Sequence, residues 1–480
     1  MFLLKTKKMS YIEKIKKIVL LLVLWAATTF ATPVVLKENI NRNTDKDSVF
    51  TLRFKNDSEF WLANNFTFRL KIIGGTINNG RIIAYIGDSI GYKSIDFVVG
   101  GFFDNRAVYA KTIDWLKPET AKNHDGKPLK AADLYRLMLR YASPQGNIVI
   151  GVGKDYYNWG PSQLGGLMVS DYNMGFTGLY QQYKLWGFTI RGISAQLNST
   201  PWGHENVYSA EQVLTHRFFS AGRIEYYRDL WGIAVSQSMI YAGNGRSFEL
   251  PYLIPVFPYH YVQISNWRYG NNGENSAGGL DAYANFFNKK LQIYGELFVD
   301  DFQGDRDDAS QSVQNALGFI AGAKFDIPKI IYGFAEAGQI NSFVYNHTSG
   351  EALRYVNKNA FIGSPLGPDN QLFWGKLGYD FNKINLKTEI YGWFLRQGER
   401  DIIYEYTGLG GTRKDKIPFG KVRREATTWL SAIYEYRYNT VEIYGGISKI
   451  QTENVSRTSG FIPFGGFKIN GAIRIGWDKK

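Results

Sequence analysis

A short aromatic segment offers side chains suited to binding a sugar. It runs from Tyr156 to Ser162 with the sequence Tyr-Tyr-Asn-Trp-Gly-Pro-Ser and directly follows a predicted strand. Aromatic rings stack on the C–H faces of sugars when fixed polar groups lie beside them. Tyr156 and Tyr157 fit an aromatic girdle at a membrane boundary better, whereas Trp159 lies beyond the strand. We therefore predict that Trp159 contacts a polysaccharide.

A basic loop near the C-terminus offers a second candidate site, for anions. Between Arg413 and Arg424 only Asp415 carries a negative charge. Clustered Arg and Lys side chains bind carboxylates and phosphates. We predict contacts with an acidic polysaccharide or with lipopolysaccharide phosphate, and a solvated loop that merely touches lipopolysaccharide is an equal alternative. The predicted basic contacts are Arg413, Lys414, Lys416, Lys421, Arg423 and Arg424.

Acidic residues and histidines do not suggest a catalytic or metal centre. Asp300 and Asp301 are adjacent, and adjacent strand residues point to opposite faces, so the two cannot share one acid/base reaction. We predict a solvated rim there, with calcium or sugar binding as the alternative. None of the five histidines has a partner at metal-ligand spacing, and the chain has no cysteine. We therefore predict no metal, no cofactor and no enzymatic activity.

The first 31 residues have the order of a secretory signal peptide. Lysines precede an apolar run, Ile18–Ala27, and small residues follow up to Ala31. The run is too short to cross a bilayer comfortably as a helix. We predict export with cleavage after Ala31, which excludes nucleic acid as a natural partner. The formal net charge of +13 overstates the charge of the mature chain, which nevertheless remains basic.

Polar and apolar residues alternate near the C-terminus, where Phe467 and Ile469 flank Lys468. A period of two indicates a β-strand. A soluble sandwich would bury the apolar face, whereas an outer-membrane barrel turns it towards lipid and leaves the charged face in the lumen. Downstream of Ala31 no apolar run reaches the length of a membrane helix, which favours the barrel. The predicted lumen-lining residues are Glu296, Glu442, Lys468, Asn470 and Arg474.

Tight turns between period-two runs predict a series of β-hairpins. Turn-forming residues stand at Pro144–Asn147, Asn288–Lys290 and Asn382–Lys383, among other places. Much longer segments connect the hairpins, and this alternation is typical of outer-membrane barrels, which keep short turns in the periplasm. We predict an all-β, transmembrane antiparallel barrel of sixteen to eighteen strands, with eighteen favoured. Residues 32–480 form its single domain, with a periplasmic segment at 32–65 and the barrel at 66–480.

Four motifs, in chain order, resemble those of the Wzi-type capsule assembly family. They are Trp159-Gly160-Pro161-Ser162 after a strand, His216-Arg217 at the start of one, Gly295-Glu296-Leu297 with Asp300-Asp301-Phe302, and Gly363–Asp369. The resemblance directly covers the middle of the chain. It implies an eighteen-stranded outer-membrane barrel that acts as a lectin and tethers capsular or other surface polysaccharide. It adds His216, Arg217, Asp300 and Asp301 to the predicted polysaccharide contacts.

Two functional classes follow from these features. The first is a polysaccharide-binding barrel in the outer membrane of a diderm bacterium, with outer loops folded over the mouth and a poorly conducting lumen. The second is a porin-type channel for small solutes, lined by charges such as Glu296 and Arg474. The basic loop, Trp159 and the resemblance favour the first. The expected partners are an acidic surface polysaccharide, outer-membrane lipid including lipopolysaccharide, and the barrel insertion machinery.

Overall fold

The alternating residues form β-strands, which a computed structural model describes. Its described backbone covers residues 60–73, 76–92, 94–104, 131–172, 175–199, 216–269, 273–301, 315–328, 330–347, 351–357, 360–400, 416–436, 439–453 and 461–477. At 60–92, 101–104, 131–135, 301, 351 and 471–477 the backbone alone is described. The predicted signal peptide, the segment before Phe60, Arg413 and Lys414 lie outside the described residues.

Eighteen strands in the described part of the chain form one closed antiparallel sheet. The first, β1 (Phe60–Ile73), pairs with β2 (Thr76–Tyr92) on one side and with β20 (Ile462–Trp477), the last, on the other. Closure leaves no unpaired sheet edge, as a hydrocarbon environment requires. The predicted all-β barrel is confirmed, with the favoured number of strands.

The other strands of the barrel follow one another around the sheet in chain order. They are β3 (Ile95–Asp104), β4 (Ala131–Ala142), β5 (Ile148–Asp155), β6 (Phe176–Leu185), β7 (Phe188–Gln196), β8 (His216–Tyr227), β9 (Trp231–Gly243), β10 (Glu274–Phe286), β11 (Leu291–Asp301), β12 (Ala316–Ile327), β13 (Ile331–Ile340), β16 (Asn370–Phe381), β17 (Leu386–Gln397), β18 (Arg423–Tyr436) and β19 (Asn439–Thr452).

Short helices and one small hairpin lie in the connections. Residues between β9 and β10 form α1 (Leu250–Leu253) and α2 (Tyr259–Arg268). Residues between β13 and β16 form a hairpin of β14 (Val356–Asn357) and β15 (Ala360–Phe361). Short 3-10 helices cover Glu351–Leu353 and Asn382–Ile384.

Short turns join strands at one end of the barrel, as the hairpin pattern predicts. In the β6–β7 turn, Trp186 and Gly187 have φ angles of 51° and 83°. Two successive residues with positive φ match the right-handed twist of the flanking strands, and they make a two-residue hairpin possible. Most connections at the other end are long, but β1 and β2 are joined there across residues 74–75.

The first two strands are longer than their alternation predicts. The pattern indicates strands at Phe66–Gly74 and Arg81–Gly87, whereas β1 begins at Phe60 and β2 spans Thr76–Tyr92. Backbone pairing of β1 with β20 continues down to the pair of Phe60 and Trp477. Because this ladder uses main-chain groups, the strand continues where the side-chain alternation is weak.

The barrel wall has an apolar outer face and a polar inner face, as β11 shows. The side chains of Ile293 and Leu297 are 50% and 40% exposed and face outward. Between them in the sequence, Tyr294 and Glu296 are buried and face the lumen. Exposed apolar side chains on successive strands form the surface that acyl chains contact. No helix in the described part of the chain is long and apolar enough to cross a membrane.

Leu430 tests this assignment of faces. It lies midway along β18, is 63% exposed and faces outward. We expect Leu430→Arg to lower the free energy of unfolding by about 2–4 kcal/mol, because a guanidinium near the bilayer midplane loses its hydration. Urea unfolding of the protein folded into phospholipid vesicles measures this change. Leu430→Ala should cost much less, and equal losses in the two variants would show that the side chain does not face lipid.

Candidate functional site

The loop between β5 and β6 folds into the barrel lumen. Trp159 and Val169 form an isolated antiparallel bridge that closes the loop on itself, with the Trp159 N–H donating to the Val169 carbonyl at 2.9 Å. Gly166 N–H donates to the side-chain oxygen of Asn158 at 2.7 Å. A chain segment inside the barrel needs partners for its backbone groups, since buried N–H groups are rarely left unpaired.

Glu296 on β11 supplies two of these partners. Its carboxylate accepts the backbone N–H of Ser162 at 2.7 Å and that of Leu167 at 2.9 Å. The loop approaches so closely that a Cβ atom on Gly160 would lie 2.3 Å from Oε1 of Glu296. Gly160 also has a φ of 117°, which side chains rarely permit. The Trp-Gly-Pro-Ser motif thus has a structural explanation, because only glycine fits against this carboxylate.

Glu336 on β13 is a second acceptor with four donors. It accepts the Ser162 hydroxyl at 2.9 Å and the Gln163 N–H at 2.6 Å from the loop. From the wall it accepts the Tyr294 hydroxyl at 2.7 Å and the Trp374 indole N–H at 3.1 Å. A carboxylate has enough lone pairs for four donors, so it joins the loop to three strands.

A second loop, between β13 and β16, packs on the first inside the barrel. The Tyr345 hydroxyl donates to the Leu167 carbonyl at 2.6 Å, and the Tyr355 hydroxyl donates to the Met168 carbonyl at 3.0 Å. The Ser170 N–H donates to the carbonyl of Ile362 at 2.9 Å. We call the described parts of the two loops, residues 156–172 and 341–369, the inner plug.

Arg217 fixes the second loop to the wall. The residue is buried, and its guanidinium donates to the carbonyls of Ala352, Arg354 and Val356 at 2.6, 2.8 and 3.2 Å. Asp300, on the bulged end of β11, accepts the Tyr345 N–H at 2.6 Å. Two residues that the family resemblance assigns to polysaccharide binding therefore hold the plug in place.

Apolar side chains complete the contact between plug and wall. Val169, Val344, Tyr345 and Ile362 of the plug are buried against inward side chains such as Phe298. On the other side of the barrel, Leu164 and Leu366 of the plug pack against wall residues. These are Phe334, Leu372, Trp374, Trp393, Leu395 and Trp429. The plug therefore packs among inward side chains from β6, where Tyr157 stacks on Tyr180, around to β18.

Ion pairs line the wall beside the plug, and sequence reasoning missed them. The Arg223 guanidinium contacts Asp281 at 2.5 Å and Glu225 at 2.8 Å, and it lies 6.0 Å from the centre of the Trp159 ring. Lys376 contacts Glu389 at 2.7 Å. The signal was present in the sequence as charged residues on the inward face of alternating strands. Which of these charged residues pair depends on the register between strands, and the register cannot be read from the sequence alone.

The structure separates the predicted polysaccharide contacts. Trp159 is 5% exposed and lies inside the plug. His216 is exposed at the outer end of β8, as are Lys416 and Lys421 near the start of β18. Arg423 pairs with Glu425 at 2.6 Å and Arg424 with Glu453 at 2.5 Å. Asp301 is described by its backbone alone, and Arg413 and Lys414 lie outside the described residues.

The predicted lumen-lining residues other than Glu296 lie on the last two strands. Glu442 accepts the Ser431 hydroxyl at 2.6 Å, and its register partner on β20 is Lys468. Asn470 donates to the Thr440 hydroxyl at 2.9 Å. The side chain of Arg474 lies outside the described residues. Among the residues that the structure describes, no three His, Cys, Asp or Glu side chains are grouped so as to hold a metal ion.

Solved structures of outer-membrane barrels have a similar architecture. Wzi, described as an outer-membrane protein involved in group 1 capsule assembly in Escherichia coli and as a carbohydrate-binding β-barrel, has a TM-score of 0.51 at 14% identity over 88% of this chain and 85% of that one. The chain has the fold of outer-membrane β-barrels. Pseudomonas aeruginosa OccD3 (OpdP) has a TM-score of 0.50 at 10% identity over 87% of this chain and 91% of that one. At these identities the likeness concerns the fold.

Comparisons by sequence add nothing to this result. No family model matches the chain, and no curated protein sequence does.

Glu336 provides a test of the plug. We expect Glu336→Gln to lower the free energy of unfolding by at least about 2 kcal/mol, because an amide cannot accept from all four donors and leaves buried groups unpaired. Thermal unfolding in detergent measures the loss. Glu435→Gln is the matched control, since Glu435 is 43% exposed, pairs with Lys387 and should lose less than about 1 kcal/mol. Similar losses in both variants would contradict the proposed role of Glu336.

His347 gives the plug a predicted dependence on pH. Burial lowers the pKa of His347 from 6.5 to about 4. A base with a lowered pKa in the folded state stabilises the fold above its unfolded pKa and loses that contribution as the pH falls. The melting temperature should therefore decline between about pH 6.5 and pH 4, and His347→Gln should flatten this decline. A decline that is just as steep in His347→Gln would show that this residue is not its source.

Proposed function

We propose that this barrel binds an acidic surface polysaccharide at its outer end and retains it at the cell surface without catalysis. The observation that carries the proposal is the inner plug, which is bound to both the acidic and the apolar side chains of the lumen wall. A channel for solutes needs a free path through the barrel. A plug fixed by Glu296, Glu336 and Arg217 favours a binding role.

The basic loop between β17 and β18 is attached to the plug at its described end. Asp369 of the plug accepts the N–H of Phe419 at 2.9 Å, the N–H of Arg400 at 3.0 Å and the hydroxyl of Ser342 at 3.0 Å. The Arg400 guanidinium lies 3.5 Å from the centre of the Phe419 ring. A loop held at this base loses less conformational entropy when a ligand binds it.

Lys416 and Lys421 stand on either side of this attachment and are exposed. We take them, with Arg413 and Lys414, as the basic contacts of the glycan. The charges of Arg423 and Arg424 are partly neutralised by Glu425 and Glu453, so they contribute less to the field that an anion meets. The exposed Lys416 and Lys421, on either side of a loop base held by the plug, suit a polyanionic chain that lies across the mouth.

The likeness to Wzi supports the same class of ligand. That protein is described as a carbohydrate-binding β-barrel. The proposed ligand here is acidic because the contacts available in the loop are basic. His216, which is exposed at the outer end of β8, extends the proposed surface beyond that loop.

Removing the loop charges tests the proposal. We expect the combined variant Arg413→Gln, Lys414→Gln, Lys416→Gln and Lys421→Gln to bind an acidic polysaccharide such as polygalacturonate at least about fourfold more weakly at low salt, because exposed ion pairs contribute about 0.2–1 kcal/mol each. Binding of the purified protein is measured by biolayer interferometry. The matched control changes Lys289, Lys290, Lys383 and Lys387 to Gln near the turns at the opposite end. Equal weakening in both variants would indicate a general charge effect.

Planar bilayers distinguish the binding role from the porin-type alternative. The intact protein should show little steady conductance. A large, stable conductance together with no binding of acidic glycan would overturn the proposal in favour of a channel for small solutes.

A further inference from the structure

The helical part of the connection between β9 and β10 lies on the outer face of the barrel wall. We call its residues 250–268, which include α1 and α2, the outer strap. Its carbonyls accept hydrogen bonds from wall side chains: Gln181 donates to Leu253 at 2.9 Å, and Gln237 donates to Phe257 at 2.6 Å and to Pro255 at 3.2 Å.

The direction of the side chains in β9 shows that this contact is on the outside. Ser236 and Ser238 face the lumen, where they bond to Arg223 and to Tyr355 of the plug. Gln237 lies between them and therefore faces outward, as does the 58% exposed Val235. The strap thus covers polar side chains on a surface that otherwise contacts lipid.

Two glycines make room for the strap backbone. Gly192 on β7 and Gly222 on β8 are register partners on the outward face, and both contact Pro255. A Cβ atom on Gly222 would lie 1.9 Å from the Pro255 carbonyl oxygen. Glycine inside a strand often marks the close approach of another backbone.

The inner side of the strap is packed and hydrogen-bonded. Tyr252 and Tyr259 of the strap are buried against outward side chains of the wall. Those wall residues are Phe218, Met239 and Tyr241. Further along α2, Asn266 donates to Glu274 of β10 at 2.6 Å. In this sector the protein therefore has three layers: the plug inside the wall, the wall itself, and the strap outside it.

The opposite side of the strap is apolar and exposed. Ile254, Val256, Phe257 and Tyr261 are 39%, 49%, 42% and 72% exposed. This patch continues the lipid-facing surface of the wall at Val235. Exposed apolar patches of this kind mark surfaces that contact a partner or a membrane.

The depth of the strap places it in the outer leaflet. Trp231 lies at the turn end of β9, and Gln237 is six residues further along the strand. With a rise of about 3.3 Å per residue and a tilt of about 40°, Gln237 lies about 15 Å above Trp231 along the membrane normal. The apolar band of a barrel is about 25 Å tall. From there α2 runs towards the outer end of β10, where Asn266 contacts Glu274 about 10 Å higher along the normal. Trp267, Arg268 and Tyr269 follow at the headgroup level.

We propose that the outer strap is a lipid-binding surface of the outer leaflet. Acyl chains pack on Ile254, Val256, Phe257 and Tyr261, and Arg268 at the end of α2 contacts a phosphate headgroup. Its continuity with the lipid-facing wall favours lipid over a second copy of the chain. This inference does not depend on the polysaccharide proposal.

The absence of cysteine from the chain allows a site-specific test. The variant Phe257→Cys, labelled with a nitrobenzoxadiazole fluorophore, is folded into phosphatidylcholine vesicles that carry a doxyl group midway along the acyl chain. We expect quenching comparable to that of a label introduced by Val235→Cys. A label introduced by Lys416→Cys on the outer loop should be quenched far less. Tyr261→Cys repeats the measurement if the first variant folds poorly.

Two results would overturn the proposal. Quenching by aqueous iodide in place of doxyl lipid would show that the strap faces water. Crosslinking of the Phe257→Cys variant into dimers by a short bifunctional maleimide, at a low ratio of protein to lipid, would show that a second copy covers the patch.

A glycine variant tests whether the strap is seated on the wall. Gly222→Ala should lower the doxyl quenching of the label at position 257 and lower the melting temperature, because the new Cβ meets the Pro255 carbonyl. Gly278→Ala is the matched control on the same outward face, since a Cβ there meets nothing within 4 Å. If Gly222→Ala changes neither measurement, Gly222 does not contact Pro255 closely, and the inference loses the contact on which it rests.

Discussion

The interior of this barrel depends on two carboxylates that pair with backbone N–H groups. A loop can lie inside a barrel only if its main-chain groups find partners there, because an unpaired group away from water costs several kcal/mol. Glu296 and Glu336 provide those partners for the N–H groups of Ser162, Gln163 and Leu167. The second loop then packs on the first through tyrosine hydroxyls, and the outer basic loop is attached to the second through Asp369. The contacts thus form a hierarchy that begins at the two acidic side chains.

The layers that cover the two faces of the barrel wall differ from one sector to another. Around β18 and β19 the outward side chains, such as Leu430 and Ile443, are exposed. Around β8 and β9 protein covers both sides, since Phe218 packs under the outer strap and Phe219 packs under the plug. This difference is local to those strands and follows from two long connections that fold in opposite directions.

The fold could be predicted from the sequence because barrels repeat one local rule. Period-two alternation gives the strands, short turns give the hairpins, and an even count gives closure. The rule also identified Glu296 as a lumen residue. It could not identify what Glu296 binds, because the loop that meets it is distant in sequence and enters by a path that only packing determines. Trp159 illustrates this limit: its position after a strand predicted a polysaccharide contact and gave no indication that the ring is buried in the plug.

A different signal could have indicated the covered sector. Met239, Ile240, Tyr241 and Ala242 form a continuous apolar run in β9, and all four are buried. In a barrel strand, loss of alternation indicates that both faces are covered. Gln237 beside this run is the polar counterpart, since an outward amide at that depth needs a partner other than lipid.

The outward-facing amides of Gln181 and Gln237 beneath the outer strap also restrict how the barrel can be assembled. Without the strap, the amides of Gln181 and Gln237 would meet hydrocarbon with no partner, at a cost of several kcal/mol. Late docking of the strap from the aqueous phase would have to pass through that state. The outward face of strands β6–β10 is therefore complete only when the strap is seated, because strap carbonyls are the partners of these amides.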